Sequence, residues 1–162
     1  MTPGIVRGFV PTRRWPGLVF VIAIVAGCSG INSQTNAYAT LAEARQAGAI
    51  AHGWIPEGLP PGSHDLREAH LPGSSQRWGI VNFPQAEAGA LRALLSAEEI
   101  SLDGQRCDAP GRIEWWPIVL RGTMNGERIE STGIRAHRSK DGQLLFAVNW
   151  NQGRAYYWSA QR

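Results

Sequence analysis

Acidic residues are missing from the start of this chain. Of its 162 residues, the first carboxylate is Glu43, and Arg7, Arg13 and Arg14 precede it without a counter-charge. Lysine is nearly absent, with Lys140 as its single instance against fifteen arginines, a bias of genomic composition rather than of chemistry. Long apolar runs are lacking too. The longest, residues 18–26, holds nine residues, whereas a helix needs about 20 to span a bilayer. A permanent transmembrane helix is therefore disfavoured. Metal-ligand spacings such as H-x-x-x-H and C-x-x-C do not occur, nor does a glycine-rich phosphate loop. No metal or cofactor is expected.

Cysteine is scarce. Cys28 and Cys107 are the pair, and the first is spoken for by the pattern around it. A basic leader, a short apolar run and small residues form the layout of an export signal. The run ends in Val25-Ala26-Gly27-Cys28, which closely resembles the lipobox of bacterial lipoproteins. Cleavage is expected between Gly27 and Cys28, where small side chains admit the peptidase. The thiol of Cys28 then carries diacylglycerol, and its freed amine accepts a further acyl chain. A single chain binds membrane only marginally, so stable anchoring takes two or more. Ala37-Tyr38-Ala39 also fits an ordinary cleavage pattern, but lies too far from the apolar run. Thr12-Arg13-Arg14-Trp15 offers twin-arginine export as a minor alternative. With Cys28 acylated, Cys107 has no partner for an intramolecular disulfide. It reads as a small buried apolar residue.

The formal charge of +3 and pI near 9.3 belong to the whole chain. Taking away residues 1–27 removes three arginines and no acid, which leaves equal numbers of basic and acidic residues. A nucleic-acid partner, which needs a concentrated basic face, is not expected. The organisation read from the sequence is a signal peptide over 1–27, a lipidated cysteine and flexible tether over 28–36, and one globular domain over 37–162.

Within the domain, Thr40-Leu41-Ala42-Glu43 fits a capping box opening an Ala-rich helix that stops at Gly48. Prolines at 56, 60 and 61 forbid helix there. Ser63 is expected to cap a short helix running through His70. Residues 77–83 read as a strand, and 84–96 as a helix with Ala88, Leu91, Leu94 and Leu95 on one face. Residues 101–112 read as a polar loop, and 115–120 as either a strand or a short helix from Pro117. From about Arg128 a strand meander is expected. Its loops, Lys140-Asp141-Gly142 and Asn151-Gln152-Gly153, suit three-residue hairpins ending in left-handed glycine. That register pairs Ala136 with Phe146 and Phe146 with Trp158, and Ile134 with Val148 and Val148 with Tyr156, gathering one apolar face. The fold class is α+β: short helices packed on an antiparallel sheet that ends in a C-terminal strand meander.

Leu41, Glu43, Ala44, Gly48 and Ile50, then Gly53-Trp54-Ile55-Pro56, Leu59-Pro60, and Asp65-Leu66-Arg67-Glu68 with His70 form an ordered set. This set resembles the YbbD-head-domain family of uncharacterised bacterial lipoproteins, as do the lipobox and the end Tyr156-Tyr157-Trp158. The resemblance implies a compact envelope domain and no particular activity.

Candidate chemistry is thin. Ser63-His64-Asp65 has the letters of a hydrolase triad, but neighbouring side chains on a helix diverge by about 100° and cannot make the needed bonds. His52, His64, His70 and His137 share no ligand spacing. Trp54, Trp115 and Trp116 could line a cleft for a ligand or peptide. The expected function is a membrane-anchored cell-envelope lipoprotein, a non-catalytic structural or interaction module with an envelope protein as possible partner. The alternatives are a ligand- or peptide-binding lipoprotein with a Trp-lined cleft, or an immunity-type protein. Ser29 after the lipidated cysteine points to the outer membrane, facing the periplasm, in a diderm host.

Overall fold

The computed structural model describes Met1 and residues 33–160. Residues 2–32, which hold Cys28 and all of the expected signal peptide but Met1, lie outside the described residues. Among those described, no helix is long and apolar enough to cross a membrane. The elements run β1 (Gln34–Thr40), α1 (Leu41–Gln46), β2 (His64–His70), β3 (Arg77–Asn82), α2 (Ala88–Leu94), β4 (Leu95–Ile100), β5 (Arg106–Cys107), β6 (Gly122–Thr123), α3 (Gly126–Glu130), β7 (Arg135–Ser139), β8 (Leu144–Asn149) and β9 (Arg154–Ser159). Seven strands form an antiparallel sheet in the order β1-β2-β3-β9-β8-β7-β4. The chain leaves β3 near the middle and crosses by α2 to the far edge at β4. It then returns through the meander until β9 pairs with β3. Strands β5 and β6 form a separate ribbon. This is the expected α+β class with its terminal meander.

Both faces of the sheet are covered. Phe146 and Val148 of β8 pack with Leu41, Ile55, Leu91 and Leu95 under α1, α2 and the proline-rich loop between α1 and β2. Leu145 and Ala147 point the other way, into a second core with Leu102, Ile113, Trp116 and Ile129 from the 101–134 segment. Period-two alternation sends neighbours on a strand to opposite faces, so apolar side chains at both settings give a strand whose six residues are all buried.

That double burial corrects the hairpin register. Phe146 pairs with His137 and Tyr157, and Val148 with Arg135 and Ala155. The loops hold four residues, 140–143 and 150–153. The three-residue reading assumed one wet face. With two dry faces the apolar pattern of β8 carries no register information, and the turn decides. Asp141 Oδ1 accepts from Ser139 Oγ at 2.5 Å and from the Gln143 amide at 3.0 Å, which closes the wider loop. Ile134, Ala136 and Trp158 consequently join the second core rather than the helix-bearing one.

Local chemistry explains the remaining gains and losses. Thr40 Oγ1 accepts from the Glu43 amide at 3.2 Å, as the capping box requires, while Glu43 Oε2 reaches back to the amide of Ala39 rather than of Thr40. The tether is shorter than expected, because Gln34, Thr35 and Asn36 already belong to β1. Ser63 caps nothing: it precedes a strand, and its hydroxyl is buried without a partner among the described residues. The helix expected after it is β2. The misleading residue is Glu68, a carboxylate facing the core beside Leu66 and His70. A buried acid breaks the apolar alternation by which strands are recognised. The helix after Pro84 is a 3-10 turn at Gln85–Glu87 followed by α2, and it ends two residues early as Leu95 opens β4. The loop expected over 101–112 contains β5. Residues 115–120 resolve into a 3-10 turn at Ile118–Leu120 after Pro117, and α3 precedes the meander.

Two-sided burial makes adjacent residues of β8 equally costly to truncate. Leu145→Ala and Phe146→Ala are each expected to destabilise by about 2–5 kcal/mol in urea unfolding. A sheet wet on one face would show the loss for one of the two and near-neutrality for the other.

Candidate functional site

The residues of the ordered motif converge on the helix-bearing face at β2. Glu68 is fully buried. Its Oε1 accepts from Asn36 Nδ2 at 2.5 Å, across the β1–β2 pair, and its Oε2 lies 2.9 Å from His70 Nδ1 on the same strand face. Trp54 lies flat on the His70 ring at 4.1 Å and 8°, and His52 covers the other side of Trp54 at 4.6 Å and 16°. The loop is anchored by the Trp54 amide, which donates to the Ala49 carbonyl at 2.9 Å, and by Ile55, buried in the core. A lone buried carboxylate would be costly; hydrogen bonds from Asn36 and His70 offset that cost.

Tyr157 completes the cluster from the C-terminal end of the chain. Its ring lies over Gly79, its partner on β3, and its hydroxyl donates to the Trp54 carbonyl at 3.0 Å. A Cβ at position 79 would stand 2.0 Å from Tyr157 Cζ, so the ring fits only over glycine. Burial, reinforced by the Glu68 carboxylate, pushes the Tyr157 phenol far above its ordinary pKa and keeps it a neutral donor. Strand β2, the loop and β9 are thus tied at one point. In the sequence, Glu68 and His70 stand in the motif and Tyr157 in the aromatic end, each without a role, and Gly79 is not singled out. A glycine inside a strand was the available signal.

The three candidate tryptophans do not meet. Trp54 packs half-buried on the helix-bearing core, whereas Trp115 and Trp116 belong to the core on the opposite face of the sheet. Trp116 is buried, donates Nε1 to the Leu120 carbonyl at 3.0 Å, and meets Trp158 edge-on at 5.9 Å. A single Trp-lined cleft does not form. Ser63-His64-Asp65 lies at the entry to β2, with Ser63 Oγ unpartnered and His64 Nδ1 against the Gly62 carbonyl at 3.1 Å. Of the histidines, Trp54 brings His52 and His70 together. His137 is buried beside Trp150 at 5.9 Å. Cys107 is a buried free thiol, and burial pushes its pKa up to about 11 despite a hydrogen bond from Trp78. The cluster holds geometry; it presents no exposed nucleophile. Beside it an open cavity of about 410 Å³ is lined in part by Gly53, Ile55, Arg77 and Phe146.

Residues 32–80 match the family model of the YbbD head domain, a segment that carries β1, α1, the tryptophan loop, β2 and the start of β3. No curated protein and no solved structure matches the chain.

Gly79→Ala is expected to drive the Tyr157 ring off β3 and to cost about 1–3 kcal/mol or more, the range for overpacking. The double change Gly79→Ala with Tyr157→Leu should recover part of that loss in a thermal melt. Cys107 is expected to resist iodoacetamide at pH 8, with a thiolate fraction about 100-fold below that of a free thiol. A raised folded pKa stabilises below the unfolded value and loses that contribution as pH climbs from about 9 through about 11. Cys107→Ala should flatten this alkaline decline in stability.

Proposed function

We propose, for a chain whose residues 32–80 make it YbbD-head-like, a role as a cell-envelope lipoprotein whose domain is a non-catalytic structural or interaction module. The observation that carries the reading is the order of the basic leader, the nine-residue apolar run and Val25-Ala26-Gly27-Cys28. Acylation of Cys28 ties the domain to a membrane surface. Ser29 rather than aspartate at the following position favours the outer membrane in a diderm host. The non-catalytic part of the reading is supported by how the reactive side chains are used. The Glu68–His70 pair lies under Trp54, the Cys107 thiol is buried, and Ser63 Oγ has no hydrogen-bond partner among the described residues.

The spacing fits an anchor close to the fold. Strand β1 starts at Gln34, six residues after Cys28, and six extended residues reach at most about 20 Å. Metabolic labelling with a palmitate analogue is expected to mark the wild-type chain and not Cys28→Ala, and to place the labelled protein in the membrane fraction. Equal labelling of both chains would overturn the anchor.

A further inference from the structure

We propose that the cavity beside the Trp54 cluster binds a small aliphatic monocarboxylate, with Arg77 receiving the carboxylate. The proposal goes beyond the anchored-module reading and stands whether or not Cys28 is acylated. Arg77 opens β3 opposite His70, so its side chain starts on the helix-bearing face. The guanidinium lies beside the backbone of Gly53, where a Cβ would stand 3.4 Å from Nη1, an ordinary contact. Arg77 is half-buried, and its Nε is buried without a hydrogen-bond partner among the described residues. A guanidinium cannot shed its charge, and its fork of donors matches a carboxylate in two parallel bonds. A partly buried guanidinium whose Nε has no hydrogen-bond partner among the described residues, facing a cavity, can receive a carboxylate.

Asp141 stands on the rim, and its carboxylate is held by Ser139 Oγ and the Gln143 amide, which with a weaker contribution from the Arg77 charge keep its pKa below the ordinary range. No ion pair joins it to Arg77 among the described residues. The rest of the lining defines the ligand's body. Ile50, Ile55, Leu94, Leu144 and Phe146 supply apolar wall around a volume of about 410 Å³, within the usual size of small-molecule sites. Lys140 and Arg77 are balanced on the rim by Glu57 and Asp141. With the rim charges balanced, one added negative charge is accommodated more readily than a phosphate dianion. Cationic groups on the rim, Arg77 among them, and an apolar wall beside them describe a short-chain carboxylate.

The test is calorimetric titration of the full-length chain in lipid nanodiscs, with empty nanodiscs as blank. Hexanoate is the probe; hexanol and hexyl phosphate are its neutral and dianionic counterparts. Saturable one-to-one binding of hexanoate is expected, with hexanol weaker by about tenfold or more, as loss of a charge-assisted bond implies, and hexyl phosphate weaker because its second charge meets the rim carboxylates of Glu57 and Asp141. Arg77→Met should weaken hexanoate by a similar factor. Ala93→Trp, at an exposed position on the cavity rim, should block binding while the melting temperature is kept, which separates occlusion from unfolding. Absence of saturation below about 10 mM, equal binding of hexanoate and hexanol, or hexanoate affinity unchanged in both variants would each overturn the proposal.

Discussion

Every residue of β8 is buried, and that requirement organises the rest of the molecule. A central strand dry on both sides needs two covering layers, and the chain supplies them from different stretches. Residues before β4 form one cover, with α1, the proline-rich loop and α2. The 101–134 segment, largely without regular structure, forms the other. Apolar area removed from water is the main favourable term in folding, and here it is collected on two sides of one sheet. The irregular second layer is held by side-chain to backbone bonds: Arg121 Nη1 donates to the Ala109 and Pro110 carbonyls at 3.2 and 3.0 Å, and Asp103 Oδ1 accepts from the Gly126 amide at 2.9 Å.

How much of this was legible follows from the same constraint. Features that depend on a few neighbouring residues read correctly from sequence. The Thr40 cap, the strand at β3, the left-handed Gly142 and Gly153 and the terminal meander are of this kind. Features that depend on what covers a strand did not. The register of β8 assumed one apolar face, and Leu145 and Ala147, buried in the second core, were counted as the outward side. Strand β2 was hidden for the opposite reason. A polar residue, Glu68, occupies a core position, where its partners Asn36 and His70 make it tolerable. His70 stands two residues away, but Asn36 is not visible from local pattern, since it comes from another strand 32 residues away.

The Trp54 cluster shows why the ordered motif of residues 41–70 contains the residues it does. Glu68 and His70 form a polar base, Trp54 closes over it, and Gly53 stands beside Arg77. These side chains occupy positions set by burial and stacking rather than by exposure to a reactant. The candidate site was therefore half legible. Its residues stood in the motif, but their use depended on Tyr157, which arrives from the far end of the chain. The tryptophans that seemed suited to a cleft are divided between two cores because the sheet stands between them.

Strand β9, the last element of the chain, sits in the interior of the sheet between β3 and β8. Its five pairings with β3 span 72 to 80 positions of sequence. Such contacts pay a long loop-closure entropy before they return any stabilisation, and folds rich in them form slowly. Until the residues of β9 are available, Gly79 has no ring above it and β3 has an open edge. The middle of the sheet therefore stays open until β9 docks, and that docking is the step that joins the two halves of the sheet into one unit.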